Sequence, residues 1–217
     1  MGAFFAVETH DAGTSPSAPW RPLRELLDQP RRLDERVHSV RAALAGGGPV
    51  ARIELRVAAS ITHLGVVARL LAPTIGAAAL GLERAALGSD DLWWQDQLGG
   101  PFPLSIVDFT SGDAGPLVGS AVEAITVATA ACYALSPQVL WGNVASAANS
   151  AAALIAGARP DDAHRAYAAA DRVLADPRIE GGQRHAGPSF RRNSCCLIYR
   201  IADTKSAVCG DCVLVRS

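Results

Sequence analysis

Four of the five cysteines lie within the last 23 residues of this 217-residue chain. They form an adjacent pair, Cys195 and Cys196, and a C-x-x-C pair, Cys209 and Cys212, with twelve residues between the two pairs. If such closely spaced thiols share one centre, the end of the chain must reverse its direction. This requirement constrains the C-terminal fold more than any other feature of the sequence.

The segment that carries these cysteines has the pattern of a β-hairpin. Apolar CCLIYRI and AVCGDCVLV flank a polar ADTKS loop, whose length is common in hairpins. Counting back from a pair between Ile201 and Ala207 places Cys196 opposite Cys212. All four sulfur atoms can then approach one centre. Because neighbouring residues of a strand point to opposite faces, the backbone must bend at the Cys-Cys pair.

Three kinds of site are compatible with these thiols. A structural zinc site usually has two C-x-x-C knuckles, whereas this chain has one knuckle and a Cys-Cys pair. An iron-sulfur cluster also takes four thiolates and tolerates more varied spacing. A thiol redox pair normally begins a helix after a strand, and here almost no chain remains to form one. The residues alone leave these alternatives open.

The fifth cysteine, Cys132, lies on an apolar stripe and is expected to be a buried core thiol.

Three arginines near the Cys-Cys pair favour a redox site. Arg191, Arg192 and Arg200 flank it in sequence. A thiolate-bound diiron cluster is anionic and gains one more negative charge on reduction, which nearby cations make more favourable. The alternative is that these side chains are solvated on a surface hairpin.

The chain resembles the ferric-siderophore reductases named for ferric hydroxamate reductase, the FhuF-like proteins. The resemblance rests on FRRNSCCLIYRI at 190–201 and CGDC at 209–212, with weaker support from WGN at 141–143 and AASITHLGVVARLLAP at 58–73. It extends from about residue 50 to the end. This chain departs from the family in one respect, because the family usually has about ten residues between the cysteine pairs. A longer hairpin tip accommodates the two extra residues at little entropic cost.

The resemblance implies a 2Fe-2S cluster on Cys195, Cys196, Cys209 and Cys212. It also implies a cytoplasmic, sometimes membrane-associated protein that passes one electron to the Fe(III) of a bound siderophore, for example of the hydroxamate type. The GGGP run at 46–49 fits neither nucleotide-binding pattern, so we expect an external ferredoxin or reductase, rather than bound NADH or flavin, to supply the electrons.

The candidates for substrate docking are Trp93, Trp94, Trp141 and the three arginines. Two neighbouring tryptophans could form an apolar wall for a metal chelate, although such a pair is more often divided between core and surface. His63 lies beside an apolar helical stripe and is expected to be an ordinary packed or solvated imidazole.

The apolar periodicity predicts a mainly α protein of the α+β class, with a small irregular β region and the cysteine-bearing hairpin. Helices are expected within 22–44, interrupted at Pro30, and within 50–74 and 117–135. Two further helices are expected within 141–158 and 161–176, the second with Asp161 as its N-cap.

The irregular stretch 76–115 is expected to hold a small sheet around PLSIVDF. Residues 1–19 are expected to form a flexible arm, and residues 20–217 one domain with its cluster-binding segment at 190–217.

Composition narrows the class of protein. A formal net charge of -1 gives no global attraction to nucleic acid. The N-terminus has no secretory signal pattern, which predicts a cytoplasmic protein with at most peripheral membrane association.

The alternative function is a zinc-stabilised, non-redox helical module that binds a siderophore or its precursor. An iron or redox sensor is a third alternative, but no helix-turn-helix pattern supports it.

Overall fold

The computed structural model describes residues 2–82, 87–107, 117–201 and 209–214. The described residues form four strands and six α-helices. The strands are β1 Glu8–His10, β2 Arg21–Pro22, β3 Leu92–Trp94 and β4 Leu104–Val107. The helices are α1 Glu25–Asp28, α2 Pro30–Leu44, α3 Leu55–Ala79, α4 Ala121–Tyr133, α5 Pro137–Ala158 and α6 Ala163–Leu174. The predicted mainly α class with a small β region is confirmed.

Proline determines where the first two helices meet. Gln29 has an extended backbone, as expected for a residue before proline, and Pro30 is the first residue of α2. Proline suits this position because the first amides of a helix have no partner within it. The predicted interruption at Pro30 is therefore confirmed.

Helix α3 is the centre of the fold and packs against α2, α4, α5 and α6. It begins at Leu55, later than the sequence pattern suggested, because Val50–Arg52 form one turn of 3-10 helix and Ile53 is extended. Because helices pack on several sides of α3, residues outside its apolar stripe are also buried. Its buried residues include the polar side chains of Ser60, His63 and Arg69.

Four short strands form a sheet in the order β1-β4-β3-β2, in which β1 and β4 are parallel and the other pairs antiparallel. The predicted small sheet is confirmed, with β4 inside PLSIVDF. Strand β1 lies within residues 1–19, the expected flexible arm. Buried Arg69 of α3 also holds this segment, by donating to the carbonyl oxygens of Phe4 (2.9 Å) and Ala6.

Helix α4 is shorter than predicted, and one expectation about it is wrong. Ser120 caps its first turn by accepting a hydrogen bond from the Glu123 amide. Its buried face runs from Ala121 to Thr129. Cys132 lies in the last turn, beyond this face, and is exposed. Cys132 is therefore not the core thiol that the apolar stripe suggested.

Helix α5 packs against both α3 and α6. The prediction that Asp161 is the N-cap of α6 is wrong, since α6 follows a 3-10 turn and Asp162 is the residue that precedes the helix.

Helices α3 and α5 are long and apolar enough to cross a membrane by composition, but 67% and 72% of their most apolar windows are buried inside the fold. Such burial is what the core helices of a globular protein show.

Candidate metal centre

The structure brings the four C-terminal cysteines together as two pairs. The Sγ atoms of Cys195 and Cys212 are 4.0 Å apart, and those of Cys196 and Cys209 are 3.7 Å apart. Cys196 and Cys212 are buried, whereas Cys195 and Cys209 are partly exposed. Each pair therefore contains one buried and one partly exposed sulfur.

The pairing differs from the one that the hairpin register predicted, in which Cys196 was opposite Cys212. The first arm is not a strand, because Leu197 has a left-handed backbone with φ of 70° and Ile198–Arg200 form a 3-10 turn. This left-handed residue supplies the bend that the Cys-Cys pair was expected to need. The predicted pairing of Ile201 with Ala207 involves a residue outside the described ranges.

The separations within the pairs fit two thiolates on one metal ion. Metal–sulfur bonds of about 2.3 Å at a tetrahedral angle place two sulfurs about 3.8 Å apart. Both observed distances are close to this value. The amides of Leu197 and Leu214 each lie 3.4 Å from the sulfur two residues earlier, Cys195 and Cys212 respectively, and can donate to it. Two such metal positions, each with two thiolates, match the ligand requirement of a 2Fe-2S cluster.

Buried Arg192 places a positive charge against the sulfurs. Its side chain is 0% exposed. It donates to Cys209 Sγ over 2.6 Å, and its Nε lies 3.9 Å from an oxygen of Asp211. Burial alone would lower the pKa of Arg192, but the negative charges of Cys196 and Asp211 outweigh it and raise this pKa. The guanidinium is therefore a permanent cation at the site.

The same surroundings separate the thiol pKa values. The hydrogen bond from Cys209 and the charge of Arg192 lower the pKa of Cys196 to about 5, although its burial acts in the opposite direction. The hydrogen bond with Cys196 and burial raise the pKa of Cys209. Metal ions bind thiolates, so a thiol that ionises easily favours loading of the site.

Two buried donors beside the cysteines lack partners. Arg192 Nε and Ser194 Oγ have no hydrogen-bond acceptor among the described residues. Buried polar atoms are normally paired, and the sulfur atoms of an iron-sulfur cluster accept hydrogen bonds. The free Nε donor of Arg192, whose guanidinium already contacts Cys209 Sγ, therefore fits an anionic cluster at this position.

A chain of buried polar groups holds Arg192 from the side of the helices. Arg192 donates to Asn143 Oδ1 of α5 over 3.0 Å. The side-chain Nδ2 of Asn143 donates to the carbonyl oxygen of Ser60 in α3 over 3.1 Å, and the same nitrogen lies 3.4 Å from His63 Nδ1. His63 in turn lies 3.0 Å from Thr126 Oγ1 of α4. Burial lowers the pKa of His63 to about 3, so its imidazole is neutral.

The tripeptide WGN at 141–143 explains how α5 supports the cysteine segment. The Arg178 guanidinium lies over the Trp141 ring at 4.3 Å, and Asn143 holds Arg192. A Cβ atom on Gly142 would lie 1.8 Å from Ser194 Oγ. Only glycine lets the residue before Cys195 approach the helix so closely.

The other predicted site residues lie in different surroundings. Trp93 and Trp94 belong to β3, where Trp93 packs edge-on against His10 and buried Trp94 against Phe102. Arg191 is exposed and donates to the Phe190 carbonyl oxygen. Exposed Arg200 forms an ion pair with Glu54 at 2.6 Å. The role of these residues in docking stays a prediction.

Sequence reasoning did not find the supporting network of Ser60, His63 and Asn143. Each lies within a largely apolar helix, and its partners are distant in sequence. The only available signal was that WGN and the segment 58–73, which contain all three, took part in the family resemblance.

The fold and the site together define a helical protein with a C-terminal iron-sulfur centre. Residues 192–214 match the family model described as the FhuF 2Fe-2S C-terminal domain. This short segment is thus similar to the FhuF 2Fe-2S domain, and the cofactor of the site is a 2Fe-2S cluster. Searches of curated proteins and of solved structures gave no match.

Proposed function

We propose that this protein is a ferric-siderophore reductase that uses its 2Fe-2S cluster to pass one electron to siderophore-bound Fe(III). The observation that carries the proposal is the pairing of the four sulfurs beside buried Arg192, within the segment that matches the FhuF 2Fe-2S domain. Cys195 and Cys212 would bind one iron, and Cys196 and Cys209 the other.

The chemistry needs only one electron from the cluster. Anionic oxygen chelators hold hard Fe(III) tightly and Fe(II) far less well, so its reduction releases the metal. A 2Fe-2S cluster held by Cys195, Cys196, Cys209 and Cys212 would supply this electron to the ferric chelate after reduction by an external donor. An external ferredoxin or reductase is the proposed donor, and the cytoplasm the proposed location, with at most peripheral contact with a membrane.

The residues around the cysteines have separate tasks. Arg192 compensates the negative charge that the site gains on reduction, because its own charge is fixed and shielded from water. Asn143 holds the guanidinium in place. The partly exposed sulfur of Cys209 offers a side from which a chelate can approach.

Protein purified without oxygen tests this function. Iron and labile sulfide analysis should give two of each per chain, as a 2Fe-2S cluster requires. After reduction with dithionite and removal of the excess, a ferric trishydroxamate should reoxidise the cluster while a ferrous chelator captures one Fe(II) per cluster. A reduced cluster that ignores every ferric chelate tested would end the proposal.

The alternative of a non-redox zinc module predicts a different preparation. A 2Fe-2S protein is red-brown, whereas a four-thiolate zinc protein is colourless. The match to a 2Fe-2S domain favours the reductase. Colourless protein that contains one zinc ion per chain, and no sulfide after anaerobic purification, would favour the zinc module.

A further inference from the structure

A groove with a volume of about 480 Å³ runs along one side of the cysteine site. Helices α3 and α5 form its walls, together with residues 187–191 and 209–211. Cys209 belongs to its lining, so the groove reaches one residue of the cysteine site. Cys196 and Cys212 are 0% exposed and offer no such approach.

Small side chains make the room in this groove. Its α5 wall includes Ala147, Ser150, Ala151 and Ala153, and Phe190 lies on the opposite side. Small-molecule sites typically have volumes of about 300–1,000 Å³, with mostly apolar linings and a few polar groups. The groove has these features and opens to solvent beside Cys209 of the cysteine site.

The charged side chains in the described lining of the groove balance, and the cluster site beside it is anionic. Among its described lining residues, Arg191 carries a positive charge and Asp211 a negative one. A multiply anionic chelate would lose its hydration here without gaining a net opposite charge. An uncharged chelate meets no such cost.

We propose that this Cys209 groove is the docking site of the ferric chelate and that it selects chelates without net charge. The proposal rests on the proposed reductase function. A chelate in the groove would lie against Cys209, one of the residues that would hold the cluster. The reduced cluster would then lose one electron on this side and Fe(III) would gain it to become Fe(II). Specificity for the chelate then lies in the α5 wall of the groove, where Ser150 and Ala153 are exposed.

One test fills the groove. Ala153→Trp places a large side chain at its exposed wall, and Ala131→Trp makes the same change at an exposed position of α4 outside the groove. The probe is iron(III) tris-acetohydroxamate, and the measurement is the second-order rate at which it reoxidises the dithionite-reduced cluster. We expect Ala153→Trp to slow this rate about tenfold or more, with a normal cluster spectrum, and Ala131→Trp to leave it unchanged.

A second test changes the charge. Two trishydroxamates are compared, one uncharged and one that carries free carboxylates on its periphery, so that the iron-binding groups and the driving force stay alike. At low ionic strength, Ser150→Lys should raise the rate for the carboxylated chelate several-fold relative to the rate for the uncharged chelate. High salt should remove the difference.

The outcomes separate this inference from the function on which it rests. If the wild-type protein reduces both chelates and neither the filling nor the charge variant alters a rate, the Cys209 groove is not the docking site, although the reductase function stands. If the wild-type cluster reacts with no ferric chelate, the reductase function itself fails.

Discussion

Replacing Gly142 by alanine should displace the cysteine segment from α5. The new Cβ atom would lie 1.8 Å from Ser194 Oγ and 3.2 Å from Ser194 Cβ. Rotation about χ1 of Ser194 moves the hydroxyl away but leaves its Cβ atom in place. That contact is shorter than an ordinary van der Waals separation, so the backbone next to Cys195 must also move by a few tenths of an ångström.

Overpacking of this kind typically costs about 1–3 kcal/mol. We therefore expect Gly142→Ala to lower the free energy of unfolding by about 1–3 kcal/mol and to reduce the iron and sulfide content of the purified protein. Gly157 is the matched control in the same helix, because a Cβ atom there meets nothing within 4 Å. Gly157→Ala should raise the stability by about 0.5–1 kcal/mol, since alanine is the better helix former.

Urea unfolding of the metal-free protein and cluster analysis of the loaded protein measure the two effects separately. Adding Ser194→Gly removes both clashing atoms, so the double variant should recover much of the loss and show a favourable coupling energy. If Gly142→Ala matches Gly157→Ala in stability and carries a full cluster, then the close approach of Ser194 to α5 has no role in the site.

Three further predictions concern charge, exposure and pH. Arg192→Met should lower the midpoint potential of the cluster by about 60 mV or more, which is equivalent to a tenfold change in the ratio of reduced to oxidised cluster. In the same spectroelectrochemical titrations, the exposed neighbour variant Arg191→Met should change this potential little. Equal shifts for both variants would contradict the role of the buried charge. Iodoacetamide should alkylate Cys132 first in the loaded native protein, and mass spectrometry that finds this cysteine protected would contradict its exposure. Hydrogen bonding to Arg178 holds the pKa of Asp176 below its usual range, so the stabilising effect of this carboxylate is present above about pH 4 and is lost as the pH falls further. In urea titrations, Asp176→Asn should therefore reduce the fall of the free energy of unfolding at acid pH. An unchanged fall would refute the assignment.

Much of the helical framework followed from local patterns. Pro30 marked the boundary between α1 and α2, because the preference of proline for the first turn of a helix needs no tertiary information. The apolar repeat located α3, although its start moved to Leu55. The exposed position of Cys132 was not predictable, because the apolar stripe does not show where the neighbouring helices end.

The site was predictable in composition but not in geometry. The grouping of the four cysteines could be inferred from the sequence, but their pairing depends on the left-handed backbone of Leu197, for which the sequence gives no glycine signal. The interaction of Arg192 with Asn143 joins residues 49 positions apart, and that of Asn143 with Ser60 joins residues 83 apart. Such contacts exist only after the helices have packed.

The bond between Arg192 and Asn143 also bears on the order of assembly. Asn143 of α5 donates to Ser60 of α3 and accepts from Arg192, so the contact between α3 and α5 orients the group that receives the guanidinium. We therefore expect the helical core to fold before iron enters, and an excised C-terminal peptide with all four thiols to make a weaker cage than the intact chain. Conversely, cofactor insertion should raise the melting temperature of helices that contact no iron themselves.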